Sequence, residues 1–295
     1  MNSETFVELL ENKKNLIDDV LPQKVEMLDA HSSLKEAMLY SILAGGKRLR
    51  PTLLLMTIEA FGEKVESGID AACAVEMIHT YSLIHDDLPS MDDDDFRRGS
   101  PTNHKIYGEA LAILAGDGLL THAFRIISES TMLDSDTKMD LINRLSKAAG
   151  PEGMVDGQVA DMEAEGKRLS LEALEAIHRK KTGALLGFSI YAGARIAGGS
   201  EEQQHHLTQF AHHLGLAFQI QDDILDVEGD EAKMGKPIGS DEQNNKSTYP
   251  HLLTLSGAKE QLMIEVAEAK KHLFEAGINH EWLEHFTDYM ISRDH

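Results

Sequence analysis

Apolar residues recur at helical spacing along most of the chain. The segment "SSLKEAMLYSILAG" (32–45) is amphipathic and runs into glycine. Pro51 stands just inside the start of "RPTLLLMTIEAFG", where a first helical turn tolerates it. The stretch 70–87 is long and mostly apolar, which predicts a central helix, and "GEALAILAGDGLLTHAFRIISES" (108–130) has the same character. A long helical segment over 170–199 is broken at Thr182-Gly183. The next, 200–230, starts from Ser200 as a cap with Glu a few residues on. Segments 257–277 and 281–294 complete the pattern. β-branched runs are few, and no strand is predicted. The sum is one all-α domain over 1–295, a bundle of roughly ten helices. The least helical stretch, 227–250, is polar and rich in Gly, Asn and Lys; so long a loop in a compact domain is usually functional or disordered.

Composition narrows the class. The 295 residues are 42% hydrophobic, enough for a substantial core. The formal charge is −22, so nonspecific binding to nucleic acid or anionic membranes is disfavoured. The single Cys73 permits no intramolecular disulfide and suits a reducing compartment. The first residues lack a basic start followed by an apolar run, and no stretch approaches the roughly 20 apolar residues of a membrane span. These features predict a soluble, cytoplasmic protein.

Against that acidic background two aspartate clusters carry chemistry. In "HDDLPSMDDDDFRRGS", six aspartates fall within positions 86–95. Asp86 and Asp87 stand at the C-terminal end of a predicted helix, where the macrodipole disfavours them, and Asp92 returns after Leu88-Pro89. In "FQIQDDILD", Asp222, Asp223 and Asp226 share one helical face with Gln219 a turn earlier, among apolar neighbours. Divalent cations relieve such repulsion, and oxygen-only ligands select a hard ion such as Mg²⁺. The two sets are expected to face each other across one central cavity. Basic residues supply the complement: Lys47 and Arg50 in "GGKRLRP", Arg97 and Arg98 after the first cluster, Lys181 before Thr182, and Lys236 and Lys246 in the long loop. A diphosphate needs both partners, metal-bridged carboxylates and cationic donors. Two separate sets suggest two diphosphates.

At this level of detail the chain resembles the trans-polyprenyl diphosphate synthases. "GGKRLRP", "HTYSLIHDDLPSMDDDDFRRGSPT", "AGDGLL", "GMVDGQVAD", "HRKKTGALL", "GLAFQIQDDILDVEGD" and "NKSTYP" occur in the family's order and spacing. The branch it most resembles is the bacterial farnesyl-type enzymes, whose first motif has four residues between the paired and final Asp. The resemblance implies the isoprenoid synthase fold, a homodimer, and a prenyltransferase that extends dimethylallyl and geranyl diphosphate with isopentenyl diphosphate. It implies three Mg²⁺, held by Asp86 and Asp92 with Asp87 in support, and by Asp222 with Asp223 and Asp226 nearby. Arg97, Lys181 and Lys236 would contact the allylic diphosphate. Lys47, Arg50, His79 and Arg98 would hold isopentenyl diphosphate. Thr182 and Gln219 would face the reacting carbons. The long loop would close as a lid.

Product length follows from the residues before Asp86. Ser82 lies one turn back on the same face. Tyr81 lies about 7.5 Å back along the axis and roughly 140° around it. In the family, an aromatic residue at this fifth position goes with a C15 product, so farnesyl diphosphate is expected and geranylgeranyl diphosphate is the alternative. A catalytically silent partner subunit or a terpene cyclase is a different class. The first would be expected to lose an aspartate, and the second would leave Lys47, Arg50, His79 and Arg98 superfluous. Asp93, Asp94 and Asp95 read as solvated. The pairs His205-His206 and His212-His213 read as an exposed helix face rather than a transition-metal site. Gln158 and Asp161 in "GQVAD" are left between a supporting and a structural role.

Overall fold

In the computed structural model, which describes residues 3–228 and 247–292, the chain is almost wholly helical. Thirteen α-helices lie among the described residues. They divide into two compact units: Met1–Leu55 with Lys64–Asn143, and Met56–Glu63 with Arg144–His295.

The first unit is built around helix α4 (Ile69–Asp86). Its run of Ala71, Ala72, Cys73 and Ala74 is fully buried, and small side chains there let neighbouring helices approach closely. Burial pushes the Cys73 thiol up to about 12, so it is an inert core residue. Around α4 stand α1 (Ser3–Glu26), α2 (Ser32–Leu43) and α6 (Glu109–Glu129); α3 (Leu49–Ala60) and the short α5 (Asn103–Tyr107) lie between them in the chain. Contrary to the expectation from sequence, α6 is long and apolar enough, by length and composition alone, to cross a membrane. Its Ala112, Ala115, Leu119, Ala123 and Ile127 are instead fully buried, and it packs against α4 and α2 as an internal helix does. Gly116 makes this possible: a Cβ there would meet His85 Nε2 at 2.2 Å. Arg48 fixes the turn before α3. It has φ +50° and is buried, and it donates to Glu76 at 2.7 Å, Asp18 at 2.8 Å and the Ile42 carbonyl at 2.6 Å. Removing Glu76 would strand a buried guanidinium, a loss of about 3–5 kcal/mol that the Asp18 contact would lessen.

The second unit centres on α11 (Glu201–Glu228), which lies along α12 (Tyr249–Glu275) and α10 (Ala184–Ile196). Leu174, Ala217, Ile220, Ile224, Tyr249 and Leu262 form its core. The start of α11 is a reciprocal cap. Gln203 N–H donates to Ser200 Oγ at 3.2 Å, and Ser200 N–H donates to Gln203 Oε1 at 3.0 Å. The partner is thus a glutamine, not the glutamate expected. Helix α12 begins eight residues before the predicted 257 and kinks at Thr254 (φ +68°). The remaining helices are α7 (Ser135–Ala149), α8 (Met154–Ala164), α9 (Leu171–His178) and α13 (Glu281–Ser292). The predicted break at Thr182-Gly183 is a π-helical turn, Arg179–Gly183, between α9 and α10. The predicted loop 227–250 falls mostly outside the described residues; its ends, 227–228 and 249–250, are helical.

Candidate active site

In the first unit, α4 ends at Asp86 and Asp87 caps it (φ −71°, ψ −11°). The chain then folds back on itself. Asp92 N–H donates to the Asp86 carbonyl at 2.9 Å, and Asp93 N–H (φ +51°) to the Leu88 carbonyl at 3.1 Å. The four-residue spacer therefore closes into a tight loop that returns Asp92 to Asp86. Asp86 is half-buried and Asp92 exposed.

Asp87 does something different. It is 3% exposed and accepts from Arg97 Nε at 2.6 Å, with Arg97 Nη2 also 2.6 Å from the same Oδ1 as an ion pair. Burial holds the Asp87 carboxyl above its usual range, with Arg97 pulling the other way. Burial also works against the Arg97 charge, but the hydrogen bond and charge of Asp87 outweigh it. Arg97 is presented by a two-residue ladder, β1 (Phe96–Arg97) with β2 (Ser100–Pro101), turned through Arg98 (φ +54°) and Gly99 (φ +77°). Positive φ at both central positions is the requirement of a type I′ hairpin. No strand was predicted here. Asp94 lies 3.5 Å from Arg97, and Asp95 pairs with Lys105 at 2.5 Å; both are exposed, in keeping with a solvated role.

The cations gather nearby in the same unit. Arg98 Nη1 donates to the Gly45 carbonyl, and a Cβ on Gly46 (φ +144°) would lie 2.6–2.8 Å from the Arg98 guanidinium. The Gly-Gly pair thus admits Arg98 against the turn that also carries exposed Lys47. The His79 imidazole is held well below its usual range, first by loss of water and then by the charges of Arg50, Arg98, Arg97 and Arg48. Arg50 Nε is buried with no hydrogen-bond partner among the described residues. Three of the four residues predicted to hold a second diphosphate therefore share one electropositive environment, with a donor left over. A cavity of about 30 Å³ is lined by Tyr40, Thr80, Ile84, Asp87, Arg97 and Arg98, among others.

Tyr81 is 6% exposed. Its phenol is pushed up to about 12 by burial and then by the Asp86 charge, so it senses the aspartate despite facing away from it on the helix. Its ring meets His85 edge-on at 5.7 Å. The Ser82 hydroxyl donates back to the His79 carbonyl at 2.9 Å.

In the second unit, Lys181 and Thr182 lie in the π turn, a rare widening often found at functional sites. Lys181 Nζ donates to Asp161 Oδ2 at 2.6 Å. Gly157 admits the turn: a Cβ there would lie 2.2 Å from Lys181 N. The "GQVAD" segment, undecided from sequence, thus holds Lys181 through both its glycine and Asp161. On the other side a Cβ on Gly215 would lie 3.3 Å from Gly183 Cα, so the turn packs on α11. Gln219 stands one turn after Gly215 and Asp222 about two, both half-buried. Asp223 and Asp226 are buried. Asp223 Oδ2 accepts the Tyr249 N–H at 2.9 Å, which satisfies the start of α12. Lys236 and Lys246 lie outside the described residues.

The donor sets suit a hard cation. Asp86, Asp92, Asp222 and Asp226 offer only oxygen, as Mg²⁺ prefers. Asp87 and Asp223 each already give an oxygen to the protein.

A family model for polyprenyl synthetase matches residues 31–277. The chain is 55% identical to a farnesyl diphosphate synthase of Geobacillus stearothermophilus, over 98% of each. It is 52% identical to one of Bacillus subtilis, over 97% of each. It superposes on the apo crystal structure of an FPP/GFPP synthase from Zymomonas mobilis with TM-score 0.86 and 34% identity, covering 99% of this chain and 100% of that one. With its helical fold, paired aspartate sets and arginine–histidine cluster, the chain belongs to the polyprenyl synthetase family.

Proposed function

We propose that the chain condenses isopentenyl diphosphate with dimethylallyl and then geranyl diphosphate, releasing farnesyl diphosphate. The observation that carries this reading is the cluster of Arg50, His79 and Arg98, a set of donors additional to the Arg97 that pairs with Asp87. A cyclase handles one diphosphate and has no use for it. The farnesyl synthases at 55% and 52% identity support the same activity and product.

In this reading Arg97, oriented by Asp87, and Lys181, oriented by Asp161, donate to the allylic diphosphate, with Lys236 as a third cation. Lys47, Arg50 and Arg98 hold isopentenyl diphosphate. His79 stays neutral among the arginines and serves as a hydrogen-bonding group rather than a charge. Mg²⁺, held by Asp86, Asp92, Asp222 and Asp226, would supply electrostatic stabilisation of the departing diphosphate. As the allylic C–O bond breaks, the Thr182 hydroxyl, the Gln219 amide oxygen and a backbone carbonyl near Lys181 turn negative dipole ends toward the cation. The isopentenyl double bond attacks, and the released diphosphate takes the proton. Three Mg²⁺, one domain over 1–295, a cytoplasmic location and a homodimer belong to the same reading. The family match running through 31–277 supports the single domain, and exposed Ile106, Ile113 and Leu114 offer apolar surface for the dimer.

The test is a product assay: labelled isopentenyl and dimethylallyl diphosphates, Mg²⁺, dephosphorylation, and sizing of the alcohols. A C15 alcohol that disappears with EDTA is the expected result. No condensation by folded protein would overturn the reading. Tyr81→Ala should shift the product beyond C15; a variant still stopping at C15 would remove Tyr81 as the floor.

A further inference from the structure

Of the four histidines of α11, only His205 is exposed as expected. His206, His212 and His213 are half-buried, and two of them meet α12. Gln203 Nε2 ties the start of α11 to the Ala276 carbonyl at the end of α12, at 3.3 Å. Beside that tie, His206 Nδ1 lies 3.4 Å from His272 Nδ1, and Glu275 Oε2 lies 3.3 Å from each. The ring centres of His206 and His272 are 5.7 Å apart while the nitrogens are 3.4 Å apart, so the nitrogens occupy the facing edges. His272 and Glu275 are one helical turn apart on α12, and His206 comes from α11.

The triangle has the dimensions of one face of a tetrahedron. Zinc binds imidazole nitrogen and carboxylate oxygen at about 2.0–2.1 Å, which for a regular tetrahedron gives ligand–ligand edges of about 3.3–3.4 Å. A hydrogen-bonded imidazole–carboxylate pair would be shorter, about 2.7–2.9 Å. The same helix pair supplies the comparison: His213 Nδ1 lies 2.7 Å from Glu265 Oε2. That His213 ring stacks on His272 at 11° and 5.7 Å, and Glu265 also accepts from Gln261 at 2.8 Å, so His272 is buttressed from behind.

We propose that His206, His272 and Glu275 form a zinc site that clamps the first turns of α11 to the end of α12, with water as the fourth ligand. Two nitrogens and one oxygen suit Zn²⁺, whereas the aspartate sets suit Mg²⁺. The site is independent of the prenyl transfer, and its readouts are binding and melting rather than turnover.

The experiment is calorimetric titration of ZnCl₂ into metal-stripped full-length protein, with Mg²⁺ in excess to occupy the aspartates. One zinc per chain is expected. His272→Ala and the isosteric Glu275→Gln should each weaken it by more than about 100-fold, since loss of even an outer partner costs about 10- to 100-fold. His205→Ala, adjacent but outside the triangle, should leave it unchanged. Zinc should raise the melting temperature of the wild type and not of Glu275→Gln, whose metal-free melt reports its folding. Absence of the zinc equivalent, its survival in both triangle variants, or equal loss in His205→Ala would each overturn the proposal.

Discussion

The two aspartate sets look interchangeable in sequence, each opening with an adjacent pair on an apolar helix, yet they are embedded differently. The first sits at a helix end, where a loop folds back to return Asp92 to Asp86. The second sits within the long α11, among residues of a packed core. What they share is a difference in burial within each pair. In each pair the second aspartate is buried and engaged, Asp87 by the Arg97 guanidinium and Asp223 by the Tyr249 amide. In each pair the first, Asp86 or Asp222, remains half-buried. Adjacent residues on a helix point about 100° apart, so the two members of each pair meet different surroundings.

The largest expected effect tests the first members. Asp86→Asn and Asp222→Asn should each lower kcat by about 10²–10³-fold, the usual cost of removing one group that stabilises developing charge. Their melting temperatures should be close to wild type. A variant that loses activity only because it unfolds would break the comparison.

Two glycines sharpen it next. Gly157 faces Lys181 backbone and Gly116 faces the His85 side chain, each at 2.2 Å from a would-be Cβ. Backbone cannot step aside, whereas an imidazole can rotate. Gly157→Ala should therefore cost about 1–3 kcal/mol and disturb turnover through Lys181. Gly116→Ala should cost less, losing mainly the His85–Ile113 contact of 3.1 Å. Denaturant melts of the two variants rank them, and the reverse order would contradict this account.

The second members come third. Asp223→Ala removes a helix-start partner and should cost about 1 kcal/mol, a fall of a few degrees in melting temperature. Asp87→Asn should raise KM for the allylic diphosphate by loosening Arg97. Steady-state kinetics with dimethylallyl diphosphate varied would show it.

A further effect is on pH. His178 is pushed down to about 4 by burial, and His79 well below its usual range by loss of water and its arginine neighbours. The unfolded chain binds their protons near pH 6.5. The stability gained by keeping them neutral is therefore present above that pH and lost as pH falls toward about 4. Melting temperature should decline between about pH 7 and 5, and less steeply in His178→Phe, which keeps the stack on Tyr249. A flat profile in the wild type would count against both assignments.

Much of this was readable beforehand, for identifiable reasons. The helices that carry the site declare themselves through periodicity, and aspartates amid apolar residues have few purposes. The hairpin at 96–101 did not show, because a two-residue ladder leaves no alternation to read. Nor did the separate duties of Asp87 and Asp223, since their partners arrive from 10 and 26 residues away. The π turn was visible as a break but not as a widening, because Gly157 and Gly215, which admit it, belong to other helices. The histidines of α11 misled for the same reason: His272, which completes the group with Glu275, lies 66 residues beyond His206.

The most direct test of which aspartates hold metal is the Mg²⁺ dependence of turnover in Asp86→Asn, Asp87→Asn, Asp222→Asn and Asp223→Asn, measured beside the wild type. The Asp86 and Asp222 variants should need much more Mg²⁺ for half-maximal rate, while the Asp87 and Asp223 variants keep the wild-type requirement. If the Asp87 and Asp223 variants shift it as far as their neighbours, both members of each pair hold metal and the assignment of metal to the first members alone is wrong.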